Sequence, residues 1–235
     1  MIARRAYVDA RQALLASDGL NLCAPFVAAF PVTGAAMSVL AGPSSASTVC
    51  ASDAVAGRLD EIQFDVGEGP CWSAMWSHAP VLRGDIRNVG GSQWPAFTDA
   101  MLRDTRTADV GALFAFPLNV GSLEIGAIDL YAPAGELTPT LVAEAAGLAD
   151  IAAWQVLKRI LTDADQGYDD QPLGHTRREV HQATGMMIVQ LGVSPEDAQL
   201  LLRAHAYSTG RSVQDVANDV VERRLDFTAP DTEPG

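Results

Sequence analysis

Apolar residues recur at helical spacing at the start of the chain and again in its second half. Residues 1–18 allow Tyr7, Ala10, Leu14 and Leu15 to share one face of a predicted helix. A longer amphipathic stretch opens after Thr138-Pro139 and predicts a helix from Thr140 to Leu161. Between these two helices the apolar residues form short runs that are typical of strands.

The middle of the chain consists of short apolar runs separated by turn residues. The predicted strands are residues 34–41, 45–51, 112–118 and 123–131, with a short extended piece at 80–83. Turn chemistry separates the first two strands at Gly42-Pro43-Ser44 and the last two at residues 119–122. Shorter helices are expected from Asp53 to Gln63, over 71–76 and over 94–103. We therefore expect an α+β fold over residues 1–161, an antiparallel sheet with flanking helices.

Three helix-start signals of one kind fall in the last sixty residues. They are Thr176-x-x-Glu179, Ser194-x-x-Asp197 and Ser212-x-x-Asp215. In each signal a hydroxyl can cap backbone N–H groups, while the carboxylate lies near the positive end of the helix dipole. An apolar stripe follows each start, which predicts a three-helix module over 175–227. Residues 162–174 have the composition of a linker, and 228–235 form a polar tail that we expect to be disordered.

The net charge of −13 is unevenly distributed along the chain. Residues 174–227 contain six arginines against seven acidic residues, so most of the negative charge lies in residues 1–173. A non-specific binder of polyanions needs a basic surface, which makes the N-terminal part a poor candidate. The helical module could bind nucleic acid only through a focused arginine patch.

The cysteines and the apolar runs bear on where the protein works. Cys23, Cys50 and Cys71 are odd in number and lack disulfide or metal-site spacing, so we expect buried, reduced thiols. No signal-peptide core is visible, and no stretch approaches the ~20 apolar residues of a membrane span. These observations predict a cytoplasmic protein without membrane contact. No metal or nucleotide motif is present, so a cofactor stays unknown, and lone carboxylates are interpreted as surface residues.

The N-terminal part resembles a GAF domain, the small-molecule-sensing relative of the PAS fold. The motifs that carry the resemblance are Gln63 to Cys71, Trp94 to Phe97, Phe116 to Leu118 and Ile125 to Tyr131. The resemblance implies a ligand cavity between the sheet and the segments facing it. Its candidate lining residues are Cys71, Trp72, Trp76, Trp94 and Phe97. The alternative is that these side chains fill a core with no space for a ligand.

The C-terminal part resembles the ANTAR domain, a three-helix RNA-binding module of bacterial transcription antiterminators. The resemblance rests on Gln182 to Met187, on Glu196-Asp197-Ala198 with the Leu201-Leu202-Arg203 that follows, and on Asp215-Val216-Ala217. A GAF domain followed by an ANTAR domain is an actinobacterial arrangement. Thr184 stands where the family usually has lysine, and Gln199 where it often has an aromatic residue. The first departure removes a cation that could meet a phosphate.

The resemblance implies a regulator that binds tandem hairpins in nascent RNA and favours transcription antitermination. The candidate RNA-binding residues are Arg177, Arg178, Gln182, Ala183, Thr184, Gly185, Ala198, Arg203, His205, Tyr207 and Arg211. A small-molecule effector or a redox state would act on the GAF-like part. We expect a homodimer through the helix Thr140–Leu161, because its apolar stripe exceeds what one small sheet needs.

Two other functions stay open from the sequence. In the first, the GAF-like part is a dimerisation scaffold and the helical module docks a protein partner, which the near-neutral charge of the module favours. In the second, Cys71 reduces free methionine sulfoxide with Cys50 as its resolving partner, as some GAF-like proteins do. No catalytic triad, phosphate-binding loop or carboxylate pair is discernible, so we expect a protein that is not an enzyme.

Overall fold

The computed structural model describes residues 2–17, 19, 21–41, 46–165 and 177–228. The chain divides into two compact units, Met1–Thr176 and Arg177–Gly235. Each unit has a core of its own.

A five-stranded antiparallel sheet forms the centre of the first unit. Its strands are β1 (Gly34–Leu40), β2 (Ala46–Ala51), β3 (Val81–Arg83), β4 (Ala112–Val120) and β5 (Leu123–Ala132). Their order across the sheet is β2-β1-β5-β4-β3, and all neighbouring strands are antiparallel. The central strands are buried on both faces because helices cover both. The expected α+β architecture is confirmed.

The helices of the first unit pack against the two faces of the sheet. They are α1 (Ile2–Ala16), α2 (Ala24–Ala29), α3 (Ala54–Val66), α4 (Pro70–Ser77), α5 (Ile86–Gln93), α6 (Pro95–Arg103) and α7 (Pro139–Asp165). One core contains residues of α1, α2 and α7 with the sheet side chains Phe114, Phe116 and Ile128. The other face of the sheet packs against α3, α4 and α6, and its side chains include the polar Ser38 and Asp129. The sequence predicted neither α2 nor α5.

Helix α7 is long and apolar enough, by length and composition, to cross a membrane over Pro139–Thr162. The expectation that no stretch approaches a membrane span is therefore wrong for this segment. Its apolarity has a local explanation, since Leu148, Ala152 and Val156 are buried against the sheet. Trp154 and Leu161 lie on the same helix and are 61% and 58% exposed.

The second unit is built from α8 (Arg178–Leu191), α9 (Pro195–Thr209) and α10 (Val213–Val221). Two of the three predicted caps are present: the Ser194 hydroxyl accepts from the backbone N–H of Asp197 at 3.1 Å, and the Ser212 hydroxyl from that of Asp215 at 3.0 Å. Thr176, the third predicted cap, lies outside the described residues. The predicted linker 162–174 also falls largely outside them, and α7 continues to Asp165.

Candidate nucleic-acid interface and sensory core

The helical module has a small core, and part of the predicted RNA-binding set lies within it. Ala183 and Ala198 are completely buried, and Thr184 is 5% exposed. The Thr184 hydroxyl donates to the carbonyl of Val180 at 2.7 Å. These three side chains pack helix against helix, so the departure from lysine at residue 184 lies on the inner side of α8.

A second part of the predicted set is accessible on α8. Arg178, Gln182 and Gly185 are exposed along that helix. A groove of about 590 Å³ opens beside them, between α8 and the segment that ends α10. Its lining residues are Gln182, Gly185, Met186, Val189, Gln190, Val220, Arg223, Leu225 and Asp226. The sequence singled out only the first two of these for RNA binding.

The side chains of Arg203, Arg211 and Arg224 are engaged with neighbours in the module. Arg211 forms an ion pair with Asp219 at 2.6 Å, and Arg224 pairs with the same carboxylate at 2.7 Å. Both guanidinium groups hold the pKa of Asp219 below its usual value through hydrogen bonds. Arg203 donates to the Gln199 side chain at 3.3 Å. The Arg211 guanidinium is therefore already paired with a carboxylate of its own module.

The aromatic candidates of α9 differ in exposure. Tyr207 is 63% exposed and available for stacking. His205 is half-buried, and its ring lies edge-on to Phe227 with centroids 5.3 Å apart. The sequence left a core role and a stacking role open for His205, and the contact with Phe227 favours the former.

The five predicted ligand-pocket residues divide between two clusters of the first unit. Cys71 and Trp72 are buried with Phe64 and Met75, whereas Trp94 and Phe97 belong to the cluster around α3 and α6. Trp76 is 57% exposed and stacks on Trp72 with ring centroids 5.7 Å apart. The five side chains therefore do not converge on one described cavity, and four of them contribute to packing.

Polar side chains form a network inside the same face of the sheet. Asp60 of α3 is 1% exposed and accepts hydrogen bonds from the hydroxyls of Ser38 and Thr48, the second at 2.9 Å. Asp129 of β5 is 4% exposed and accepts a hydrogen bond from the Gln63 amide. Its other carboxyl oxygen has no partner among the described residues. The interpretation of all lone carboxylates as surface residues is wrong for these two.

Gln63 links this network to the turn before α4. Its side-chain oxygen accepts from the backbone N–H of Cys71 at 2.8 Å, and its backbone carbonyl accepts from the Trp72 indole at 3.0 Å. The same side chain thus satisfies a buried amide and one buried carboxyl. Sequence reasoning missed the roles of Asp60 and Gln63 in this network, because the partners Ser38, Thr48 and Asp129 lie between 12 and 66 residues away along the chain.

Burial changes the protonation of the carboxyl pair. It raises the pKa of Asp60 to about 7, although the hydroxyls of Ser38 and Thr48 oppose the shift. It also raises the pKa of Asp129 well above its usual value, reinforced by the charge of Asp60. At neutral pH the carboxyl groups of Asp60 and Asp129 are therefore at least partly protonated in the folded protein.

Comparison with known proteins identifies the two units. Residues 175–221 match the family model of the ANTAR domain. The C-terminal module is an ANTAR domain. No curated protein matches the chain.

The first unit is similar in fold to GAF domains. The GAF domain of a phosphoenolpyruvate-protein phosphotransferase from Coxiella burnetii superposes with a TM-score of 0.54 at 13% identity, over 70% of this chain and 98% of that one. A GAF sensor protein from Burkholderia vietnamiensis gives 0.45 at 14% identity, over 67% and 96% of the two chains. Free methionine-R-sulfoxide reductase from Neisseria meningitidis gives 0.47 at 14%, over 68% and 91%. The chain thus joins a GAF-type fold to an ANTAR domain.

The cysteines of the GAF-type unit differ from the expectation of three reduced thiols. Cys23, which precedes α2, forms a disulfide with Cys50 of β2, with their Cα atoms 6.0 Å apart. The separation of 27 residues along the chain gave no sign of this pairing, which the fold of the sheet creates. Cys71 is the buried thiol that remains. Burial and the nearby carboxyls of Asp129 and Asp60 raise the pKa of its thiol well above the usual value.

This arrangement bears on the two kinds of chemistry considered from the sequence. A nucleophilic cysteine needs a lowered pKa and a resolving thiol, and Cys71 has a raised pKa while Cys50 is bonded to Cys23. Among the described residues, no group of three or more His, Cys, Asp or Glu side chains is placed to hold a metal ion.

Proposed function

We propose that this protein is an RNA-binding regulator of transcription antitermination. The observation that carries the proposal is the ANTAR domain at residues 175–221, whose family consists of RNA-binding antiterminators. The domain would bind tandem hairpins in nascent transcripts and hold them in a form that competes with a terminator. Exposed Arg178, Gln182 and Tyr207 are available for such contacts.

The GAF-type unit is proposed to supply the regulatory input. Both a small-molecule effector and a redox state are compatible with the fold, and the Cys23–Cys50 disulfide favours the redox input. Disulfides of cytosolic proteins are rare and usually respond to redox conditions. We place the protein in the cytoplasm because its RNA targets would be found there.

A salt-titrated gel shift tests RNA binding. The full chain is titrated with a synthetic RNA of two tandem hairpins, starting at low salt. We expect an affinity that falls as salt rises, with a shallow slope because few arginines are available to neutralise phosphates. Crosslinking and sequencing of bound RNA from cells then identifies the targets. Absence of binding to any tandem hairpin at low salt, with or without cell extract, would contradict the proposal.

Two further candidate functions are considered: the gel shift tests the first, and an activity assay tests the second. A protein-docking role for the ANTAR domain is favoured by its near-neutral charge and by the ion pairs of Asp219 with Arg211 and Arg224. Cysteine-dependent reduction of methionine sulfoxide is disfavoured by the raised pKa of the Cys71 thiol. An activity assay on free methionine sulfoxide with Cys71→Ser as control tests the second, and we expect no turnover.

A further inference from the structure

Gly185 occupies a helical position that nothing inside the module explains. It lies in the middle of α8 and is exposed, and a Cβ atom added there would meet no other atom within 4 Å. Glycine in a helix interior costs about 1 kcal/mol relative to alanine. Ala183 and Ala198 are different, because each is completely buried between helices. The small residue at 185 therefore serves no contact within the described module.

The open side of Gly185 faces the groove between α8 and the end of α10. The residues that line the groove include the apolar Met186, Leu225 and Val189, of which the last is 85% exposed. An isolated exposed valine is ordinary on a protein surface. Here, however, Val189 lines the same groove as Met186 and Leu225, together with the exposed helix backbone at Gly185.

Polar groups at the rim of the groove carry hydrogen-bonding capacity that the described residues do not use. Gln182 and Gln190, eight residues apart along α8, both line the groove, and their carboxamides make no hydrogen bond with the rest of the described chain. Each can donate and accept at once, as the edge of a nucleobase requires. Arg223 supplies an exposed cation at the same rim, while Asp226 disfavours a phosphate on its own side.

We propose that this groove receives an unpaired nucleobase from a hairpin loop, with the sugar-phosphate backbone passing over Gly185. The inference rests on the proposed RNA-binding function and names its surface. The face of the base lies on Val189 and Met186, its edge meets a glutamine carboxamide, and the adjoining phosphate lies toward Arg223. Single-stranded loops are recognised in this manner because their bases are free to leave the stack.

Substitution of Gly185 tests the assignment without disturbing the fold. The full chain is compared with Gly185→Ala and Gly185→Leu, whose added atoms project into open space and whose helix propensities exceed that of glycine. Gly91→Ala is the matched control, because Gly91 is also exposed and helical with nothing within 4 Å of an added Cβ, but lies in α5 of the other unit. The probe is a synthetic tandem-hairpin RNA, paired with versions that carry single abasic sites in the loops.

We expect Gly185→Leu to weaken RNA binding about tenfold or more, which is the effect of losing one recognised base. Gly185→Ala should weaken it less, and Gly91→Ala should bind like the wild type. One abasic site should weaken binding by the wild type but add no further loss to Gly185→Leu. If the wild type binds and Gly185→Leu binds equally well, the groove assignment is overturned. If the wild type binds no RNA, the proposed function fails and the groove assignment fails with it.

Discussion

Asp60 and Asp129 show how single residues couple the fold of the GAF-type unit to pH. The folded state retains protons that the unfolded state releases near pH 4, because burial raises both carboxyl pKa values and that of Asp60 reaches about 7. Stability is therefore greatest below pH 4 as far as these groups are concerned, and falls as pH rises from about 4 to about 7. One such proton gives a slope of at most about 1.4 kcal/mol per pH unit.

Asp60→Asn removes this titration while keeping an oxygen that can accept from Ser38 and Thr48. We expect the variant to be more stable than the wild type at pH 8 and to lose less stability between pH 5 and 7.5. Urea unfolding of both proteins at a series of pH values measures the difference. Ser77→Ala, a change at the end of α4 with contacts only to backbone carbonyls, is the control. Parallel pH profiles for Asp60→Asn and the wild type would contradict the expectation.

The polar network could not be predicted residue by residue. Asp60 lies in α3 and Asp129 in β5, far apart in the sequence. An isolated aspartate among apolar residues gives no indication of how deeply its side chain will be buried. Only the pairing of β1 with β5, which sets Ala36 opposite Asp129, brings Ser38 and Asp129 to one face. Trp76 gives the opposite lesson, since its aromatic ring predicted a pocket and lies largely exposed.

At the scale of elements, local signals predicted what local chemistry controls. The caps at Ser194 and Ser212 were visible because the hydroxyl and the backbone N–H that donates to it lie within three residues of each other. Helix α5 was not, because Gly90 and Gly91 lower its propensity and tertiary contacts compensate. Its first residue, Ile86, is completely buried and donates from its backbone to Gly111 at 2.8 Å.

Ser194→Ala should destabilise the start of α9. The change leaves the N–H of Asp197 without its acceptor at 3.1 Å, and loss of such a cap costs about 1 kcal/mol. Hydrogen exchange of the first amides of α9 measures the loss in the full chain. Ser208→Ala is the matched control, because its hydroxyl donates to a carbonyl within the same helix and caps nothing. Equal exchange rates in the two variants would show that the cap contributes no stability.

The disulfide connects two elements that no local signal links. It ties the residue before α2 to β2, and closing a loop of this length should stabilise the GAF-type unit by about 3 to 4 kcal/mol. We expect mass spectrometry under non-reducing conditions to find Cys23 joined to Cys50, and a dithiol reductant to lower the thermal midpoint. A Cys23→Ser/Cys50→Ser double variant should have the lower midpoint already and respond no further to the reductant. A wild-type midpoint that is the same with and without reductant would contradict this expectation.

At the scale of the whole molecule, α1 and α7 expose apolar residues that the rest of the described GAF-type unit leaves uncovered. Val8 and Leu15 on α1 are 44% and 54% exposed, and Trp154 and Leu161 on α7 are 61% and 58% exposed. The two helices pack on each other, and each exposes its pair at a spacing of seven residues. Side chains at this spacing form the seam between packed helices. These exposed side chains are our candidates for the homodimer interface, and such an interface replaces the membrane as an explanation for the apolar residues that α7 exposes.

Charge placed at the exposed apolar residues of α7 should therefore separate the subunits of the proposed dimer. We expect the wild type to sediment as a dimer at micromolar concentration, and Trp154→Glu/Leu161→Glu as a monomer. Leu123→Glu, at a leucine that begins β5 and is 50% exposed, should remain dimeric. Under the proposed function a dimer would engage both hairpins at once, so its affinity for tandem hairpins should exceed its affinity for one hairpin through effective concentration alone. The monomeric variant should keep the single-hairpin affinity and lose that advantage, whereas a wild type that sediments only as a monomer would remove this interface from the proposal.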